Sequence, residues 1–320
     1  MSRREIAAAA HSLFPPKARN YLESMLDPEC PDQHVHYLAA YAAMEARQRH
    51  IPAEDWLKAG GFKRMYNHIK GRVRLMVQPT SSMKVIRMVL KEVCLQKYLS
   101  MHGVMPPVFE VHMAKAGTLT QPIYECYYTM QKLDGTLIEW LRVRRTRDEI
   151  LDMMIQVVTA LSRMQSMGIK HNDAKLDNIM YVEVDGGFQW YLIDLGLATV
   201  GSDEGCDLWF FMWWMWYRAY KALCMAGAVR LCRSILQVGE RRLPDDILKN
   251  IKCGIKKQSR RRFVDFTDPK TPYMHTNWVN AGIDKDTLYK IGSRLQPPHV
   301  AHASVLESLE ELRRQRVFGS

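Results

Sequence analysis

One stretch, Gly168 to Gly196, limits what this chain can fold into more than any other. His171, Asp173, Lys175 and Asn178 fall within eight residues of polar loop. Ile179 to Val184 then forms a short β-favouring run, Asp185-Gly186-Gly187 supplies turn residues that tolerate positive φ, and Phe188 to Ile193 is a second run of aromatic and β-branched residues. A hairpin between the two runs returns the chain to its starting point. It would deliver Asp194 close to Asp173, Lys175 and Asn178, although Asp194 lies sixteen residues beyond Asn178.

Two carboxylates, a carboxamide and an ammonium converging on a strand-end loop suit the positioning of a magnesium-bound triphosphate against a hydroxyl acceptor. Phosphoryl transfer is mostly positioning and charge neutralisation, and magnesium prefers hard oxygen ligands, which Asn178 and Asp194 offer. Asp173 is suited to accept the hydroxyl proton and Lys175 to stabilise charge on the transferred group. The run His171-Asn172-Asp173-Ala174-Lys175-Leu176-Asp177-Asn178 resembles the catalytic loop of protein kinases, H-R-D-L-K-x-x-N, and Asp194-Leu195-Gly196 resembles their D-F-G motif. Asn172 in place of the arginine is similar to serine/threonine protein kinases encoded by large DNA viruses.

The resemblance extends upstream and implies further site residues. Gly60-Gly61 resembles an incomplete glycine-rich phosphate loop. Arg72 to Gln78 reads as the strand that would carry a phosphate-pairing lysine. No lysine stands there, and the nearest cations are Arg74 in the strand and Lys84 after the Pro79 to Ser82 loop. Glu92 resembles the helix glutamate that pairs with that lysine. Pro106 to Val111 and Tyr124 to Met130 resemble the next two strands, with Met130 at the back of an adenine pocket and Gln131-Lys132-Leu133 as a hinge. Met180 is implied as a further nucleotide contact.

Beyond the motifs, 320 residues with 47% hydrophobic content are enough for one two-lobed domain. The formal charge of +11 favours an anionic partner: a nucleotide, an acidic protein, nucleic acid or a membrane surface. Seven cysteines without a C-x-x-C read as reduced thiols inside a cell. No secretory signal follows Ser2-Arg3-Arg4-Glu5. The apolar block Leu208 to Tyr217 is about half of the roughly 20 residues that span a bilayer, so it reads as a buried helix and no transmembrane segment is expected.

Residues 3 to 49 read as helices broken by Pro15-Pro16 and by Pro28 to Pro31, with His34 and His36 as surface or core residues. Thr146-Arg147-Asp148-Glu149 has capping-box spacing. Ile150, Met154, Val157, Val158, Leu161 and Met164 then recur at helical spacing as far as Gly168. Only twelve residues separate Asp194 from Asp207. The resemblance makes Asp207 the anchor of the catalytic-loop backbone, and it leaves no room for a long activation segment. Asn172 also replaces the arginine that a phosphorylated segment would bind, so constitutive activity is expected. A single helix is expected over residues 207 to 225, with four of the eight tryptophans packed in a core. The basic run Lys256 to Arg262 reads as a nuclear-localisation signal, a patch for nucleic acid or acidic substrates, or a solvated loop. A last helix is expected from Ser304, capped by Glu307, with Val305, Leu306, Leu309 and Leu312 on one face and Glu310 paired to Arg313 or Arg314.

The resemblance therefore implies an α+β, two-lobed protein kinase-like fold. Residues 1–55 would be a helical N-terminal extension, 56–133 a small β-rich lobe and 134–320 a mainly helical large lobe. The implied activity is transfer of the γ-phosphate of Mg-ATP to a protein hydroxyl, on substrates of acidic character. Asp173, Lys175 and Asn178 would be the catalytic residues, with Mg2+ on Asn178 and Asp194. Nucleic acid is compatible with the charge, but no site for it is indicated. The cytoplasm or nucleus is the expected location, in a host cell if the viral likeness extends to the source. Two alternatives stand beside this reading: a pseudokinase binding module, and a small-molecule kinase of aminoglycoside or choline kinase type.

Overall fold

Strand-forming runs dominate the chain between residues 56 and 133, and helical periodicity becomes prominent after residue 133. The computed structural model describes residues 3–10, 56–59, 63–67, 71–77, 80–117, 122–200, 207–240 and 302–315. It is a mixed structure of helices and small antiparallel sheets, divided into two compact units. One is Met1–Leu133 with Ile193–Gly196, and the other is Asp134–Leu192 with Leu197–Ser320. Residues 11–55, which carry the N-terminal prolines with His34 and His36, lie outside the described residues. So do Gly60, Gly61 and the basic run 256–262.

In the first unit, β1 (Trp56–Ala59), β2 (Lys63–Asn67), β3 (Arg72–Val77), β4 (Val108–Gly117) and β5 (Pro122–Gln131) form an antiparallel sheet of order β1-β2-β3-β5-β4. β1 and β2 pair antiparallel, with Ala59 opposite Arg64. Helix α2 (Met83–Ser100) connects β3 to β4 and buries Ile86, Leu90, Val93 and Leu99 completely. An N-terminal helix, α1 (Arg3–Ala10), packs on α2 through Ile6 and Ala7, both fully buried.

The second unit is built around α4 (Arg147–Ser166), which follows the two-residue strand β6 (Gly135–Thr136) and the short helix α3 (Leu137–Trp140). Thr146 accepts a hydrogen bond from the Glu149 N–H while the Glu149 carboxylate accepts from the Thr146 N–H, so the expected capping box is formed. Thr136 and Glu139 form a second box on α3. All six apolar positions read from the periodicity of α4 are buried. The helix ends at Met167, and Gly168 takes φ 64°, the left-handed conformation that turns the chain into β7 (Ile169–Lys170).

The expected hairpin is formed by β8 (Ile179–Val184) and β9 (Gly187–Leu192), in register from Ile179 opposite Leu192 to Val184 opposite Gly187. Gly186 supplies the positive φ, 84°, at the turn. Gln156 of α4 fixes β9 from the side, donating to the Phe188 carbonyl at 2.9 Å and accepting from the Trp190 N–H at 3.1 Å. Trp140 meets Phe188 and Trp190 edge to face, with ring centroids 5.5 and 5.1 Å apart. β8 also pairs with β6, where the Tyr181 ring lies so close to Gly135 that a Cβ there would stand 3.1 Å from it.

Two expectations are corrected. The helix expected over residues 207 to 225 is two helices, α5 (Asp207–Arg218) and α6 (Tyr220–Ala226), because Ala219 leaves the helical region at φ −131°, ψ 31°. The break lets an almost wholly apolar stretch pack on more than one neighbour: α5 packs with α7 (Val229–Glu240), and α6 with both α7 and α4. The last helix, α8, spans His302–Arg314 and so starts before Ser304, which leaves Glu307 inside the helix instead of at a cap. Val305 and Leu309 are buried against α4. Arg313 pairs with Asp152 of α4 at 3.7 Å, while Arg314 donates to the Glu310 backbone carbonyl and not to its carboxylate. The Arg147 guanidinium hydrogen-bonds the Leu312 carbonyl, one of the terminal acceptors that the helix itself cannot satisfy. Among the described residues no helix is long and apolar enough to cross a membrane.

His302, at the start of α8, has a buried Nε2 with no partner among the described residues, and burial pushes its pKa down from 6.5 to about 4. The unfolded chain therefore binds a proton between those values that the folded chain refuses, and stability falls as pH drops from 6.5 towards 4. Urea unfolding at pH 7 and pH 5 should show this loss in the wild type. The loss should be smaller in His302→Leu, and an equal loss in both would place the pH sensitivity elsewhere.

Candidate active site

The loop between β7 and β8 leaves α4 through Gly168 and closes in a single 3₁₀ turn, Leu176–Asn178. Its backbone is anchored by Asp207 at the start of α5. The Asp207 Oδ2 accepts from the His171 N–H at 2.7 Å and Oδ1 from the Asn172 N–H at 2.8 Å. Burial pushes the Asp207 pKa up, opposed by the nearby His171 and Lys170 and by the two backbone N–H groups. Its place in the first turn of α5 adds a favourable helix dipole. His171 is fully buried, and its Nδ1 accepts the Asp173 N–H at 3.3 Å, which turns the loop towards Asp173.

Asp173, Lys175 and Asn178 form one cluster. The Lys175 ammonium lies 2.6 Å from the Asp173 Oδ2, and the Asn178 Nδ2 donates to that same oxygen and to the Asp173 carbonyl, both at 2.9 Å. The two donors orient the carboxylate and share Oδ2. Among the described residues Oδ1 takes no hydrogen bond, so it is the oxygen that an incoming hydroxyl would meet. Asn178 is buried and spends its Nδ2 on Asp173, which leaves its own Oδ1 as the atom able to ligate a cation. The Lys175 and Asp173 side chains remain partly exposed, at 27% and 19% of their surface.

Asp194 follows Leu192, the partner of Ile179 in the hairpin, by two residues, and it belongs with the first unit. Its side chain is exposed, its φ is 65°, and its Oδ1 accepts from the Gly196 N–H at 3.4 Å. Leu195 beside it is buried. Among the described residues, Asn172 (φ 62°) and Asp194 are the only non-glycine residues in the left-handed region. Asn and Asp visit that region most readily. Even so, sparsely populated backbone conformations cost of order 1 kcal/mol and cluster at functional sites. Both residues lie in the two motifs singled out from sequence.

The remaining predicted positions fall in the first unit, apart from Met180, which is half-buried on β8 opposite Tyr191. Arg74 is buried on β3, with its guanidinium 4.7 Å from the centre of the Tyr127 ring. Glu92 is buried on α2 and accepts from the Tyr128 hydroxyl at 3.4 Å. Tyr127 and Tyr128 are successive residues of β5, so these two contacts lie on opposite faces of that strand. Lys84 falls in the first turn of α2, where only its backbone is described. Met130 is buried, 3.7 Å from the Gln96 amide, and Leu133 is buried at the end of the unit.

Sequence reasoning missed one tie. Asn172 donates from its Nδ2 to the Leu197 carbonyl at 3.0 Å and to the Thr199 hydroxyl at 3.1 Å. Nothing in Leu197 or Thr199 signals the contact, although Asn in the place of an arginine marked the position. Among the described residues no cluster of three or more His, Cys, Asp or Glu side chains could hold a metal ion. A magnesium site of one carboxylate and one carboxamide is not such a cluster.

No protein-family model matches the chain, and no curated protein matches it either.

The Asp207 anchor can be tested directly. Asp207→Asn keeps one acceptor but presents an amide to the second N–H, and a lost charged hydrogen bond in a buried place costs about 1.5–3 kcal/mol. Denaturant unfolding should register that loss, and hydrogen exchange should quicken at the amides of His171 and Asn172. Unchanged exchange at both amides would show that the carboxylate does not hold the loop.

Proposed function

We propose that this chain is a phosphotransferase of two-lobed, protein kinase-like fold that moves the γ-phosphate of Mg-ATP to a hydroxyl, most simply that of a serine or threonine in a protein. The observation that carries this reading is the Asp173–Lys175–Asn178 cluster, in which a partly exposed carboxylate is oriented through one oxygen and keeps the other for an acceptor. A core or surface ion pair would have no need of this division of labour.

In this reading Asp173 Oδ1 receives the hydroxyl proton as the acceptor oxygen bonds to the γ-phosphorus, the bond from that phosphorus to the bridging oxygen breaks, and ADP leaves. Lys175, already within 2.6 Å of Asp173, turns to the transferred phosphoryl group and balances its charge. The Asn178 Oδ1 and the Asp194 carboxylate are the oxygens that would hold magnesium. Their hardness and small number fit an ion that keeps several waters and shares the substrate's phosphates. Bound there, magnesium would neutralise charge on the triphosphate. Arg74, Lys84 and Glu92 would serve the phosphates, and Met130, Leu133 and Met180 the adenine. The formal charge of +11 favours acceptors of acidic character.

A second reading, a nucleotide-binding scaffold, is favoured by one observation. β3 carries arginines and no lysine: Arg74 is stacked on Tyr127, and its planar fork does not replace the point charge of a lysine.

Transfer from radiolabelled Mg-ATP to casein, and to a panel of small hydroxyl acceptors, separates these readings. Asp173→Asn should lower kcat by about 100-fold or more, the usual contribution of a general base. Asp194→Asn should abolish the magnesium dependence together with the turnover. Turnover that survives both changes would remove the assignment, and nucleotide binding without transfer to any acceptor would establish the scaffold.

A further inference from the structure

We propose that Asn172 is a positioning residue for the reaction proposed above: its carboxamide holds Leu197 and Thr199, and so sets the chain that leaves the Asp194 turn without any added phosphate. The inference rests on the kinase reading for its catalytic consequence, while the tie itself is geometric. Asn172 sits between the buried His171 and Asp173, and its own N–H is held by Asp207 at 2.8 Å. Its left-handed φ of 62° belongs to a residue whose backbone and side chain are both engaged. The side chain reaches the carbonyl of Leu197, three residues past Asp194, at 3.0 Å, and the hydroxyl of Thr199 at 3.1 Å. Thr199 and Val200 form β10, which pairs antiparallel with Lys170 and Ile169 of β7. The segment after the acidic turn is therefore tied to the catalytic loop twice, once by a two-residue ladder and once by the amide.

An arginine at position 172 would present a cation awaiting an anion. The asparagine presents donors that the unmodified backbone and a threonine hydroxyl already satisfy. With twelve residues between Asp194 and Asp207, a segment tied this early has little length left to rearrange. The arrangement makes the placement of residues 197–200 a property of the fold, independent of phosphorylation.

Asn172→Gly separates the side chain from the backbone, because glycine accepts φ 62° without strain. With casein and Mg-ATP, kcat should fall about 10-fold, the equivalent of one or two ordinary hydrogen bonds, while the KM for ATP stays within about twofold, as for an interaction realised in the transition state. Thr199→Val should give part of the loss and Thr199→Ser should retain wild-type kcat. Hydrogen–deuterium exchange of the 195–200 segment reads the tie without turnover: Asn172→Gly should raise exchange there and leave α4 unchanged. If the wild type transfers no phosphate, the kinase reading fails by itself and the exchange result still decides the tie. Exchange unchanged in Asn172→Gly overturns the proposal, as does a loss that appears equally in KM or is not spared by Thr199→Ser.

Discussion

A single buried carboxylate holds the centre of the second unit together. Asp207 stands at the start of α5, yet both its oxygens are spent on backbone N–H groups of a loop some 35 residues earlier in the chain. Burial alone would make a charge there unfavourable, and it does push the Asp207 pKa up. The two amides, the adjoining His171 and the helix terminus work against that cost. The loop in turn gains a fixed backbone at 171 and 172, from which His171 Nδ1 can receive the next N–H and Asp173 can be aimed. Remove the carboxylate and two backbone amides lose their partner at once.

Local features were legible in the sequence because their causes are local. The α4 capping box follows from the Thr146–Glu149 spacing, its buried face from apolar residues recurring every three or four positions, and the β8–β9 register from a turn with glycine at its left-handed position. Contacts that join distant segments were not legible in the same way. Nothing near Arg313 announces Asp152, and nothing near Ala219 announces that an apolar helix must break to reach two neighbours. The candidate site divides along the same line. Asp173, Lys175 and Asn178 lie within one loop and their cluster follows from short-range geometry. The tie from Asn172 to Leu197 and Thr199 spans more than 20 residues and depends on the placement of β10.

The energies involved bear on the role proposed for the cluster. A partly exposed Lys–Asp pair contributes little to stability, about 1 kcal/mol or less. The left-handed backbone of Asn172 in the same loop costs about 1 kcal/mol in turn. The loop therefore gains almost nothing for the fold from its charged side chains, and its stability comes from Asp207 and from its own apolar residues Ala174 and Leu176, both buried. Charged groups that contribute so little to stability, yet are oriented to within a hydrogen bond, suit chemistry better than architecture.

The way the following segment is ordered fits the same division. A phosphate bound by arginine makes an ordering device that depends on an added group, is screened by salt and is weakened as the phosphate takes up a proton near pH 6. An amide donating to a carbonyl and a hydroxyl has none of these dependences. It trades the strength of a charge-assisted contact for permanence, and it can do so because the β7–β10 ladder already holds the backbone it must reach. In a chain with so short a span between the acidic turn and α5, a device that could be switched would also need a disordered alternative to switch from. The asparagine, the threonine and the two-residue ladder together leave that alternative little room.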